Sequence, residues 1–435
     1  MLTLLTESLW GDEGFSTLAV MRPFWQMLGV VMRDTAPPGF YVLGWLWGRV
    51  FGFSEAALRS LSLLLMMGAA VFAGLIVWQI SKRRWPAVLT GLLAFFSPFS
   101  FSYAFEWRMY ALLTFTIMGS IYFFMARKWR GYVLMTVLAL YTHHLALFTV
   151  MGQGLAYLVF EFDWKKWKTG GKQLWPFWLV GLLYLPWVYP MYLQTIRVQG
   201  AGFWLRPPAL KEVIDLMYRF ITGGVAEEWR LAVVLLILVL VLGKQWQKIV
   251  KKWLEILLIV LMPVLLSWAV SYWVTPVFYD RYLLSVVLGM AVLIGLGVRR
   301  WVTAGLILLV IIYGWFSYQQ LIQPKKRPFR EFAAQVKQEL RQGDSLINYN
   351  GRAHHLWETK YYGIPAPIWV PNGKLPLYVG TAQMKDEDVI KDLPGEAKRI
   401  GVITSEPVEQ VELQEPWQRS GLIEIGELSL IWFER

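Results

Sequence analysis

Residues 56–80 read AALRSLSLLLMMGAAVFAGLIVWQI, and Ser81-Lys82-Arg83-Arg84 follow directly. The run carries one charge, Arg59, in 25 residues. As an α-helix of that length it reaches about 37 Å at 1.5 Å per residue, enough to cross a hydrocarbon core of about 30 Å. A basic cluster then stops it. The same grammar recurs along the chain and fits the composition. Of the 435 residues 56% are hydrophobic, 16% aromatic and only 17% charged, against roughly 25% charged in soluble domains. The net charge of +12 sits in short clusters between apolar runs, which is the positive-inside pattern of a polytopic membrane protein and not a nucleic-acid footprint. No cysteine is present, so disulfides and cysteine-held metals are excluded.

Upstream, Phe40 to Phe51 reads as a short interfacial helix rich in Trp and Tyr, and Ala36-Pro37-Pro38-Gly39 breaks the chain before it. Phe15 to Met32, with Arg22 and Arg33 at its polar positions, reads as one interfacial amphipathic helix. Met1 to Leu9 is too short to span and carries no cleavable signal, so a further helix is expected before it. Downstream, Pro86 to Tyr103 spans with a kink at Ser97-Pro98, and a third span ends at Arg127-Lys128-Trp129-Arg130. Gly131 to Phe162 as one helix would reach about 48 Å. That single crossing would also put Lys165-Lys166-Trp167-Lys168 opposite the earlier basic clusters. Two short helices turning at Thr142-His143-His144 keep every basic cluster on one side.

Leu174 to Leu193 then returns outward, and Gln194 to Glu228 is an outer loop with an amphipathic stretch from Lys211 to Ile221. Spans follow over Trp229–Leu242, Leu254–Trp273, Tyr282–Val298 and Trp301–Tyr318, with Lys244 to Lys252 and Arg299-Arg300 inside. About ten crossings result, so residues 1–323 are expected to form an all-α polytopic membrane domain with interfacial helices. From Pro324 the composition turns soluble, and residues 324–435 are expected to form a small extracytoplasmic α/β domain. Its helices are expected over Phe329–Leu340 and Asp386–Lys391. Its strands are expected over Ser345–Tyr349, Leu377–Gly380 and Arg399–Thr404, with a final strand pair in Leu422–Phe433. His354-His355 reads as a solvated pair on a surface helix. No Gly-rich phosphate loop follows a strand.

This layout gathers polar groups on the outer side: Asp12 and Glu13 in Trp10-Gly11-Asp12-Glu13-Gly14, Glu106 and Arg108, His143 and His144, and Asp280 and Arg281. Carboxylates beside a bilayer are costly. Two readings stand for the first pair, capping of a helix that starts near Phe15 or acid–base chemistry. Arg108 and Arg281 lie where Lys and Arg are scarce, at helix N-terminal ends that disfavour cations. They either pair with Glu106 and Asp280 or converge on a phosphate. For the two histidines, hydrogen bonding of a recessed turn, substrate contact and metal ligation all stay open. Carboxylates opposite a phosphate-holding cation pair point to group transfer from a lipid phosphate, whose leaving group needs no protonation, so one general base suffices. A lipid or sugar transporter is the alternative; it would place its polar groups near the midplane and often in inverted repeats, and no repeat is evident.

Ser8-Leu9-Trp10-Gly11-Asp12-Glu13 resembles the first-loop motif of integral-membrane glycosyltransferases of the C superfamily, in the branch of protein O-mannosyltransferases and aminoarabinose transferases. Pro37-Pro38-Gly39-Phe40-Tyr41, Phe51-Gly52-Phe53-Ser54-Glu55, Glu106-Trp107-Arg108-Met109-Tyr110, Tyr141-Thr142-His143-His144 and Arg281-Tyr282-Leu283 match the pattern in order. The resemblance covers about residues 8–300. It implies a polyprenyl-phosphate-linked sugar donor and inverting transfer to a glycan, lipid or protein acceptor outside the cytoplasmic membrane. Asp12 and Glu13 would be catalytic, and Arg108 and Arg281 would hold the donor phosphate. Glu106, Tyr110, His143, His144, Asp280 and Tyr282 are further substrate-site candidates. A divalent metal stays open as a cofactor; membrane lipids are partners and nucleic acid is not. Two departures stand out. Ala36 occupies a position that is often His or Lys in relatives, which makes Arg33 a candidate substitute, and the first span of the family pattern is missing.

Overall fold

In the computed structural model the apolar run at 56–80 becomes one helix, Glu55–Ser81. The structure describes residues 3–165, 173–202, 204–242, 246–296, 302–323, 326–350, 354–371, 374–375 and 377–435. Lys166 to Lys168, Lys244, Arg299-Arg300 and the expected span ends at Val298 and Trp301 lie outside these, as does Pro324. Among the described residues three helices are long and apolar enough to cross a membrane: Glu55–Ser81, Ile249–Trp273 and Thr303–Ile322. Arg84–Phe95 and Pro98–Phe105 pass together, bent by 55° at the Ser97-Pro98 step. Tyr110–Met125, Trp129–Leu140 and Ala146–Phe160 are apolar but shorter. The chain is a multi-pass membrane protein.

The chain divides into two compact units. The first holds Met1–Leu4, Thr35–Leu43 and Leu58–Gln323. Its helix Tyr110–Met125 packs on Trp129–Leu140, and Ala146–Phe160 packs on Trp246–Trp273. The chain turns between Leu140 and Ala146, so the stretch 131–162 is two helices, broken at the two histidines. Gly39 is tied into this turn: its N–H donates to the Tyr141 carbonyl at 2.7 Å, and a Cβ on it would lie 2.6 Å from that oxygen. Where the turn after Tyr110–Met125 and the end of Ala146–Phe160 meet the helix Trp246–Trp273, the fully buried Glu255 is paired by Lys252 at 2.7 Å and Arg127 at 3.2 Å. A charge so buried is tolerable only when it is matched in this way.

The second unit holds Leu5–Asp34, Gly44–Ala57 and Pro324–Arg435. Its core is a six-stranded mixed sheet of β1 (Asp344–Tyr349), β2 (Ile368–Trp369), β3 (Val389–Ile390), β4 (Arg399–Thr404), β5 (Gln418–Ile425) and β6 (Leu428–Glu434), in the order β3-β2-β1-β4-β6-β5. The first four strands run parallel; β6 is antiparallel to β4 and β5 to β6. Strict alternation fixes the register. Leu346, Leu430 and Trp432 meet the helix Phe329–Glu339 on one face, while Ile347, Ile431 and Phe433 meet Val411 and Trp417 on the other.

Several expected elements differ. Phe15 to Met32 is not one helix but two, Gly11–Val20 and Phe24–Arg33, because Pro23 has no N–H to continue the first. Leu377 to Gly380 is a turn, not a strand. Asp386–Asp388 is a 3-10 turn that leads into β3 where a helix was expected, its three adjacent acids being poor helix interior. Strand β2, two residues long, is too short for a periodic signal.

Candidate functional site

In the second unit the helix Gly11–Val20 opens with Asp12 and Glu13 in its first turn. The expected loop before Phe15 is therefore absent, and the two neighbours point about 100° apart. Glu13 is wholly buried. Its Oε2 accepts the Trp10 N–H at 3.4 Å and pairs with Lys326 Nζ at 2.8 Å. Asp12 is half-buried, and its carbonyl accepts the Ser16 hydroxyl at 2.9 Å. The helix packs on Leu356–Tyr361. A Cβ on Gly14 would lie 3.2 Å from the Trp357 backbone, and one on Gly11 would lie 3.5 Å from both Glu358 carboxylate oxygens. The glycines that frame the carboxylates thus allow close packing on a segment of the carboxyl-terminal sheet domain. Arg33 Nε donates to the Ala382 carbonyl at 3.3 Å in the same unit. The histidines of this domain are not solvated: His355 is buried, 3.1 Å from the Ser405 hydroxyl, and the half-buried His354 stacks on Tyr378.

The other candidates lie in the first unit, on the turns that precede Tyr110–Met125 and Leu284–Gly295 and on the turn at 141–145. Arg281 Cζ sits 4.8 Å from the Tyr279 ring centroid and 5.7 Å from that of Tyr110, and its Nη2 donates to the Tyr279 hydroxyl at 2.8 Å. Tyr282 lies between His143, at 4.7 Å, and Tyr110, at 6.1 Å. Glu106 is within Coulombic reach of Arg281, and Arg108 of His143. The structure therefore brings together Glu106, Arg108, Tyr110, His143, Arg281 and Tyr282.

Asp280 has another ion partner than the one expected. Its carboxylate pairs with Arg219 at 3.2 Å and accepts the Arg281 backbone N–H at 2.7 Å. His144 lies apart from this ring, with Nδ1 3.1 Å from the Tyr184 hydroxyl and Nε2 3.0 Å from Gln194 Oε1. Both its nitrogens have partners, which is the hydrogen-bonded arrangement of a buried turn. No group of three His, Asp or Glu among the described residues is placed to hold a metal. A cavity of about 710 Å³ adjoins the site, lined by Trp204, Glu212, Asp215, Arg219, Tyr279 and Asp280 among others. Sequence reasoning missed Arg219, Tyr279 and Lys326. Arg219 lay in view on the amphipathic stretch 211–221, and Lys326 in the basic run that closes the last span.

Among the solved structures that share this fold are two of ArnT from Cupriavidus metallidurans. In the apo state the TM-score is 0.62, with 14% sequence identity over 99% of this chain and 95% of that one. Bound to undecaprenyl phosphate the TM-score is 0.58, at the same identity and coverage. No protein-family model and no curated protein matches the sequence.

Proposed function

We propose that this protein moves a sugar from a polyprenyl-phosphate-linked donor to an acceptor hydroxyl, with inversion, on the outer face of the cytoplasmic membrane. The observation that carries this reading is the fold likeness over nearly the whole of both chains, to a protein solved with undecaprenyl phosphate. The first unit's cluster supports it: a half-buried guanidinium flanked by Tyr110 and Tyr279 is suited to a phosphate that must be gripped and then released with added charge. Arg281 and Arg108 take the donor phosphate, and Glu106 and Tyr282 shape its surroundings. Asp12 takes the acceptor proton. Glu13 is wholly buried and ion-paired with Lys326, whereas Asp12 is half-buried, and this difference in access favours Asp12 as the base.

In the reaction the acceptor oxygen attacks the anomeric carbon from the side opposite the phosphate. The anomeric C–O bond breaks, its electron pair leaves on the polyprenyl phosphate, and the acceptor proton passes to Asp12. The test is transfer by the purified protein from a panel of radiolabelled polyprenyl-phosphate sugars to envelope lipids, glycans and peptides. Label appearing in an acceptor from any of these donors is the expected result. Transfer from none of them, with activity from a nucleotide sugar instead, overturns the reading.

A further inference from the structure

In segment 348–358 of the second unit five buried side-chain atoms have no hydrogen-bond partner among the described residues: Asn348 Oδ1, Asn350 Oδ1, His354 Nδ1, Trp357 Nε1 and Glu358 Oε2. Native proteins leave only a few such atoms per hundred residues, so a cluster needs a cause. Glu358 is the most costly member. It is 6% exposed, and the nearest recorded partner of its other oxygen is His355 Nδ1 at 3.5 Å. The long contact satisfies little, and the remaining oxygen is a buried acceptor with no donor among the described residues.

The place of this cluster in the sheet is independent evidence. The connections from β1 run toward β2 and β3, whereas β4 lies on the other side of β1 with β6 and β5 beyond it. The order reverses between β1 and β4. In parallel sheets the crevice outside the carboxyl ends of the strands at such a reversal is where ligands bind. Asn350 follows β1, Ser405 follows β4, and His355 joins the two loops through its 3.1 Å contact with Ser405. Glu358 lies in the short helix after β1 and within Coulombic reach of His354.

We infer that Glu358, His354 and Asn350, at the carboxyl ends of β1 and β4, form a binding site for a hydroxyl-rich carbohydrate. The unpartnered set mixes acceptors, Glu358 Oε2 and Asn350 Oδ1, with a donor, Trp357 Nε1. A hydroxyl both donates and accepts, whereas an anion is repelled by Glu358 and an ammonium offers nothing to a donor. The His354–Tyr378 pair, 5.5 Å apart and within 15° of parallel, adds flat rings beside the polar atoms. Gly11, the residue before the proposed base, lies beside this group: a Cβ on it would be 3.5 Å from both Glu358 carboxylate oxygens. Naming the carbohydrate as the acceptor rests on the transfer reading above; binding itself does not.

The test uses the full chain in nanodiscs, because maltoside detergents would themselves compete. Binding of a panel of methyl pyranosides is measured by saturation-transfer NMR, alongside thermal stability. Wild type is expected to bind at least one of them. Glu358→Gln keeps the size of the side chain and removes the charge, and should weaken that binding by roughly 10- to 150-fold at near-unchanged stability. His354→Gln is the second variant and should weaken it in the same direction. Binding of none of the glycosides by wild type overturns the inference. So does wild-type affinity in both variants, and a fall in stability with affinity intact would make Glu358 a packing residue only. Glycoside binding without any transfer activity would keep this site and sink the acceptor assignment.

Discussion

Lys326→Met is the perturbation that separates the two adjacent carboxylates most sharply. Lys326 Nζ pairs with Glu13 at 2.8 Å, with 18% exposure on the lysine side chain and none on the glutamate. Removing one partner of a buried pair leaves the other charge uncompensated and costs about 3–5 kcal/mol. Partial exposure of Lys326 places the effect near the lower end, about 3 kcal/mol, since water already screens one partner. The amide of Trp10 cannot replace the lost cation, because its hydrogen bond to Glu13 is long, at 3.4 Å. The charge anchors the helix Gly11–Val20, so the loss should appear as local opening there. At 1.36 kcal/mol per decade, about 3 kcal/mol corresponds to roughly 150-fold faster amide exchange. Hydrogen exchange of the full chain in nanodiscs, read at residues 14–20, measures it. Glu13→Gln/Lys326→Met removes both charges and should return most of the protection. Exchange within threefold of wild type in Lys326→Met, or a double variant no better than the single, would refute the reasoning that Glu13 is held for structure.

The remaining expectations are separate. Asp12→Asn should lower turnover by roughly 10²–10⁴ with donor affinity unchanged, read by single-turnover transfer; normal turnover would move the base elsewhere. Arg108→Ala and Arg281→Ala should each weaken binding of polyprenyl phosphate by roughly 10- to 150-fold, checked by competition with a labelled analogue. Burial pushes the Asp344 carboxyl up, but hydrogen bonds from Arg399 and the Arg341 amide outweigh it and hold the group below its ordinary value of 3.8. The unfolded chain therefore takes up this proton first, and the contribution is full above about pH 3.8 and lost as pH falls through the lower folded value. Exchange protection of β1 and β4 should drop below pH 4 in wild type and show a smaller step in Asp344→Asn. In the cysteine-free chain a single Cys at 143 should label from outside and one at 165 only from inside; the reverse at 165 would overturn the sidedness.

Much of the fold is legible because periodicity and length carry it. The run at 56–80, the Ser97-Pro98 bend and the break at 141–145 follow from apolar length, proline and charge parity. Strands β1, β4 and β6 show as short runs rich in Ile, Leu, Val and aromatic residues, buried on both faces, and β4 falls on the expected residues. What stays hidden depends on partners far away in the chain. Nothing in residues 5–34 or 44–57 says that they cluster with residues beyond 324. Those contacts are made by single side chains, such as Tyr362, whose hydroxyl accepts the Leu9 N–H at 2.8 Å and donates to Glu55 Oε1 at 2.9 Å. The burial of His355 was hidden for the same reason: its partners Phe329 and Ser405 come from opposite sides of it in sequence.

The same distinction bears on the role proposed for the motif Trp10-Gly11-Asp12-Glu13-Gly14. Read alone, its two carboxylates are equivalent and its glycines are room for a substrate. Helix geometry puts the neighbours about 100° apart, and the helix is buried on every side from Glu13 through Thr17, whereas Asp12 lies at its less buried start. Glu13, one residue before Gly14, is carried inward, where Lys326 makes its charge tolerable. Asp12 is carried to the half-buried side. A base must keep an accessible lone pair, and a wholly buried ion-paired carboxylate has none to offer. The close pairing of Asp with Glu is therefore a division of labour: the glutamate's burial sets the orientation of the first turn, and that turn holds the aspartate at a fixed edge. On this argument Glu13→Asp should damage turnover as well as stability, because a side chain shorter by one methylene cannot reach both Lys326 and the Trp10 amide without rotating the turn that carries Asp12.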